Sequence, residues 1–137
     1  MWQFSRQSKK HLYTARQELI ECFKIALEIS PIDFGISCGH RNEIQQTEAF
    51  QEGKSQVQWP NSKHNLFPSD AVDFFPYIAG RGAVWTDLKL FYLIAGLVLG
   101  VGQVKGYQLR WGGAWNGQLN TLKQFHDLPH IEWKGRK

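Results

Sequence analysis

Apolar side chains recur at steps of three and four between Lys9 and Ile29, at Leu12, Ala15, Leu19, Cys22, Phe23, Ala26 and Leu27. That period lines one face of a helix and predicts a single amphipathic helix across the segment, stopped by Ser30 and Pro31. The pattern then changes. DFGISC, residues 33–38, alternates and predicts a strand; Gly39 breaks it, and a polar helix from about Asn42 to Glu52 follows with Asn42 as its cap. Residues 53–61 read as loop, and AVDFF, residues 71–75, as a buried strand. Pro76 and the glycines of IAGRG return the chain to loop, and Thr86 is expected to cap a hydrophobic helix from about Asp87 to Gly100. Two more strands, near Tyr107–Trp111 and His130–Trp133, flank the glycine-rich GGAWNGQ loop. This order predicts an α+β fold in one domain, residues 1–137, with helices packed on a small antiparallel sheet.

Composition narrows the class. With 42% apolar, 14% aromatic and 20% charged residues, the chain can build a globular core. A net charge of +4 admits an anionic partner, but the lysines and arginines are spread out, with short clusters only at Lys9–Lys10 and near Lys134–Lys137, which argues against a nucleic-acid surface. Cys22 and Cys38 form no disulfide framework and no CxxC pair, so both read as reduced core residues. The run LFYLIAGLVLGV, residues 90–101, is too short to span a bilayer and reads as a buried core helix. The amino terminus has no apolar stretch behind its basic residues, so no secretory signal is expected and synthesis should be cytoplasmic.

Asp73, in the middle of AVDFF, is the residue that calls for chemistry. A carboxylate among apolar neighbours costs several kcal/mol unless it is paired or bound to a metal. His64 lies on the same short segment, and FHDLPHIEW near the carboxyl terminus offers His126, Asp127, His130 and Glu132. In an extended chain Asp73 shares a face with Ala71 and Phe75 while Asp70 points away, so Asp73 is the better ligand and Asp70 the better surface residue. From residue types alone, a His/Asp/His zinc site and a hydrogen-bonded core aspartate both remain open.

SKHNLFPSDAVDFFPY, residues 62–77, resembles the SxHxxGxAxD motif of the zinc-dependent peptidoglycan peptidases. That group spans D-alanyl-D-alanine peptidases and L-alanyl-D-glutamate endopeptidases and includes many phage endolysins. DLPHIEW resembles its second motif, GHRNEIQQTEAFQEGKS its G-x-R segment and following helix, and LRWGGAWNGQ its RWGG loop. The resemblance implies a Zn²⁺ cofactor held by His64, Asp73 and His130, with Asp127 as the acid/base residue and Arg41 near the substrate carbonyl or a carboxylate. It also implies a substrate contact at Ser62 and peptidoglycan as the partner. Asp127 is expected to share a turn with His130, stiffened by Pro129, and Glu132 to support His130 from behind. The segment between His64 and Asp73 is longer than the family's and lacks its glycine, which leaves the loop's shape open but removes no ligand.

An aspartate at 127 favours the L-alanyl-D-glutamate endopeptidase branch over the D-alanyl-D-alanine carboxypeptidases, with a non-catalytic zinc-containing wall-binding module as the rival from another class. The expected protein is a monomeric endolysin without an integral membrane segment, reaching the wall through a membrane lesion.

Overall fold

A computed structural model describes residues 1–119 and 126–137. Its helices are α1 (Arg6–Leu12), α2 (Gln17–Ile29), α3 (Glu43–Gln51) and α4 (Leu88–Val104). Its strands are β1 (Asp33–Cys38), β2 (Ala71–Ile78), β3 (Gly82–Ala83), β4 (Tyr107–Gly112) and β5 (Asp127–Arg136), and a 3₁₀ turn covers Lys63–Asn65. The sheet is antiparallel, in the order β1-β2-β5-β4, with the short β3 pairing the far end of β2. The α+β reading therefore stands.

One expected helix is two. The apolar positions keep their period, and Leu12, Ala15, Leu19, Cys22 and Phe23 are all buried, but the chain leaves the helical path between Leu12 and Gln17. The cause is competition for backbone partners. Arg16 N–H donates to the Ser69 carbonyl at 2.9 Å and Ser69 N–H to the Thr14 carbonyl at 2.9 Å, so the groups that would continue the helix bridge to the segment before β2. Elsewhere the polar helix is capped as expected, by Asn42 with a reciprocal bond from Gln45. Asp87, not Thr86, occupies the cap position of α4, and without a side-chain bond. That helix buries one face through Phe91, Ile94, Ala95 and Val98, while Tyr92 and Leu93 on the other stay partly exposed. It runs past Gly100 to Val104 because Gly102, whose missing Cβ would strike Leu109, lets β4 pack close. Gly106, at φ +78°, then ends it. No helix among the described residues is long and apolar enough to cross a membrane.

Alternation along β2 divides the sheet into two faces. Val72 and Phe74 face the helices, where Phe74 lies 6.2 Å from Phe23, 6.3 Å from Phe34 and 5.7 Å from Phe91 between ring centroids. Asp73 faces the other way. The core therefore anchors β2 from one side and presents Asp73 on the opposite face.

Two irregularities in pairing aim the side chains of that second face. Between β1 and β2 the register slips at Ser37, so Cys38 rather than Ser37 sits opposite Asp73. Between β4 and β5, Trp111 pairs with Ile131 while the next residue, Gly112, pairs with Asp127. Leu128, Pro129 and His130 thus bulge out of that ladder, and Pro129, which has no N–H to offer, is tolerated there. In a regular strand Asp127 and His130 would point to opposite faces. The bulge returns Asp127 to the side of His130, so the two are linked by an irregular strand and not by a turn.

Gly112 makes this bulge possible, since a Cβ there would overlap the Asp127 carbonyl. Gly112→Ala is expected to destabilise the fold by about 1–3 kcal/mol through overpacking, read as a lowered urea midpoint at unchanged slope.

Candidate metal and catalytic centre

Three strands and one turn deliver the site. Cys38, Asp73 and His130 lie in a cross-strand row over β1, β2 and β5, and one step along, Ala71, Glu132 and Arg110 form the next row. His64 comes from the 3₁₀ turn, whose Ser62 cap accepts a bond from His64 N–H at 3.1 Å. Asn65 closes the turn by accepting from Ser62 N–H at 3.0 Å.

His64 Nε2, Asp73 Oδ1 and His130 Nδ1 form a nearly equilateral triangle with edges of 3.1, 3.2 and 3.3 Å. Metal bonds of 2.0–2.1 Å in a tetrahedron give ligand-to-ligand edges of about 3.3–3.4 Å. The triangle therefore fits one face of such a polyhedron. Each histidine's outer nitrogen is already committed. His64 Nδ1–H donates to the Gly39 carbonyl at 2.6 Å, and His130 Nε2–H donates to Glu132 Oε1 at 2.9 Å. These bonds fix both ring orientations, so that once the inward nitrogens release their protons their lone pairs point into the triangle, the arrangement a metal needs. Glu132 is gripped in turn by Arg110, through Nε at 3.1 Å and Nη2 at 2.7 Å.

Among the protein groups the electrostatics favour charge at the centre. Burial opposes the ionised form of Asp73, but His64 and His130 outweigh it and hold the carboxyl well below the usual carboxylate range. Burial likewise works against a charge on His64, and Asp73 overcomes it, pushing the imidazole up to about 10. Such a centre takes a dication by exchanging it for protons. Glu132 is held below its ordinary value despite burial, by His130 and Arg110.

Asp127 behaves differently. Burial and the charge of Asp73 push it up to about 6 against the pull of His130, His64 and Arg41. Its Oδ2 lies 3.8 Å from His130 Nδ1, beside the triangle rather than in it. A carboxyl poised there can both accept and return a proton near neutral pH. Arg41 reaches Asp73 Oδ2 from Nη2 at 3.4 Å and Gln46 Oε1 from Nη1 at 3.3 Å.

Several of these side chains carry no signal in the sequence. Gln46, fully buried, accepts from Arg41 and Asn65 and donates to Ser55 Oγ and the Val57 carbonyl, tying α3, the loop and the His64 turn together. Trp115 packs against His130 with ring centroids 5.6 Å apart and lies under the Arg110 guanidinium. Cys38 is a correction to the reading of both cysteines as core: Cys22 is fully buried, but Cys38 is half-buried at the site. Its sulfur, His64 and Asp73 offer ligand atoms within 4.8 Å of one another and could also hold a metal. The sulfur approaches His64 at Nδ1, 3.6 Å away, the nitrogen bound to Gly39, so the triangle with His130 is the better-formed set. Of the other candidates, Asp70 pairs with Arg16 at 3.1 Å, His126 is exposed, and His40 borders the larger cavity with its ring bonded to the Leu66 carbonyl. None of the expected site residues falls within residues 120–125.

The triangle sits where two cavities meet. One of about 700 Å³ extends past Cys38, His40 and Trp85, the other of about 370 Å³ past Ser62, Lys63 and Trp115, and both are bordered by Arg41, Lys54, Asp73 and Asp127. Together they form a groove of a size that accepts an extended peptide.

The chain as a whole has counterparts among known proteins. Serratia marcescens L-Ala D-Glu endopeptidase ChiX has a crystal structure that superposes with a TM-score of 0.75 at 28% identity, covering 96% of this chain and 89% of that one. The L-alanyl-D-glutamate peptidase of Escherichia phage T5 is 37% identical over 135 residues, 96% of this chain and 97% of its own length. A profile of phage L-alanyl-D-glutamate peptidases matches residues 1–133, which takes in every element that builds the site. On that match, and on a sequence likeness that runs nearly end to end, the chain belongs to the phage L-alanyl-D-glutamate peptidase family.

Proposed function

We propose that this chain hydrolyses the L-alanyl-D-glutamate bond of peptidoglycan stem peptides, with zinc held by His64 Nε2, Asp73 Oδ1 and His130 Nδ1. The observation that carries the reading is the triangle of inward ligand atoms, with edges of 3.1–3.3 Å and both outer nitrogens committed. Zinc bound there would lower the pKa of its water toward about 7 and polarise the scissile carbonyl. Asp127 Oδ2 takes the proton of the attacking water and passes it to the leaving amine, a role suited to a carboxyl pushed up to about 6. Arg41, fixed by Asp73 and Gln46 at the junction of the cavities, offers its remaining N–H groups to the carbonyl oxygen as negative charge develops. Ser62 lines the smaller cavity while its hydroxyl oxygen caps the His64 turn, so a substrate contact there would use the hydroxyl hydrogen.

The competing D-alanyl-D-alanine bond is disfavoured by the family match, and a binding module by the position of Asp127 beside His130. Family membership also supports a phage endolysin that meets the wall after a membrane lesion.

The deciding experiment is mass spectrometry of fragments released from purified sacculi. New amino-terminal D-glutamate that disappears with chelator and returns with added zinc is the expected result; free D-alanine instead would move the protein to the other branch. Asp127→Asn should lower kcat about 10²–10⁴-fold while zinc content, measured by elemental analysis, stays stoichiometric. Glu132→Gln removes the charge behind His130 and should weaken zinc about 10–100-fold in a chelator competition.

A further inference from the structure

The groove is chemically lopsided. Arg41 and Lys54 border both cavities, but the larger adds the acidic Glu48 and Glu52, whereas the smaller adds two further cations, Lys63 and Arg110. In the smaller cavity the acids are engaged: Asp73 with both histidines and Arg41, Glu132 between His130 and Arg110, and Asp127 beside His130. Three of the cations are engaged too, Arg41 with Asp73, Arg110 with Glu132 and Lys54 with Glu52. Lys63 is the exception, with no acidic partner among the described residues, although it is half-buried against the cavity.

Its backbone is held on both sides. The Ser62 cap and the Lys63 carbonyl, which accepts from Asp70 N–H at 3.2 Å, fix the turn one residue before His64. The side chain therefore starts from an anchored base next to His64.

We infer that Lys63 binds the off-chain carboxylate of the glutamate at the cleaved bond, which makes the smaller cavity the leaving-group side of the groove. The inference rests on the bond specificity proposed above. A glutamate whose amine is the leaving group has two carboxyl groups, and continuing the peptide consumes one. The other remains an anion at neutral pH unless it is amidated. Drawn into a cleft, that anion needs a cationic partner, and on the other side Glu48 would repel it while Lys54 is already paired with Glu52. A lysine supplies a compact charge on a flexible stem, with three donors. A carboxamide in the same place leaves the ammonium unpaired, so the site discriminates by charge.

The test uses the full chain with zinc and two synthetic stem peptides, identical except that the off-chain carboxylate of D-glutamate is free in one and a carboxamide in the other. The wild type should favour the free acid in kcat/KM by at least about tenfold, the scale of one charged hydrogen bond. Lys63→Gln should bring that ratio close to one, and Lys63→Arg should restore most of it. Because each ratio is taken within one protein, a general loss of folded enzyme cancels. A wild type that cleaves both peptides equally, or a Lys63→Gln variant that keeps the preference, overturns the assignment. Cleavage of neither peptide between L-alanine and D-glutamate would instead remove the bond specificity itself, and this assignment with it.

Discussion

Asp73 is the constraint around which the other site residues are arranged. A carboxylate in the central part of a sheet is tolerable only if its charge is answered, and here His64, His130 and Arg41 answer it within 3.1–3.4 Å. The hydrophobic core sets its position from behind, because Val72 and Phe74 are locked among the helices and leave Asp73 no freedom to turn inward. Stability and chemistry thus meet on one strand: the same alternation that buries Phe74 exposes Asp73 to its partners.

The partners themselves are oriented from outside. Gly39 and Glu132 each hold the far nitrogen of a histidine, Arg110 holds Glu132, and Trp115 lies against both His130 and Arg110. Gly39 can serve His64 only because it has no side chain, since a Cβ would collide with the backbone and hydroxyl of His11 and Thr14. This shell extends the centre over every long strand of the sheet, so metal binding and sheet integrity are coupled.

Bulges do the fine aiming. A regular ladder would place Ser37 opposite Asp73 and would turn Asp127 away from His130; one slip in β1 and a larger one in β5 reverse both outcomes. The result is a proton-transfer candidate beside the triangle whose pKa differs from that of Asp73, though both are carboxyls within one site. Asp127 lacks the close cationic grip that depresses Asp73 and feels its negative charge instead.

Periodicity was enough to define most elements: α3 with its Asn42 cap, β1, the start of β2 and the two last strands follow from local spacing and punctuation. The odd placement of Asp73 in an apolar run, with His64 nearby and a histidine-rich end, was likewise legible, because a buried carboxylate needs partners wherever the chain finds them. What local pattern could not contain were bonds between distant segments. Ser69 diverts the Leu12–Gln17 stretch from helix, Gly112 admits the Asp127 bulge, and Cys38, Gln46 and Trp115 join the site only when strands and loops far apart in sequence are brought together. The sequence by itself determined which side chains could answer the charge; the tertiary structure decided which of their atoms face it, since orientation is set by register and by neighbours that a linear pattern does not record.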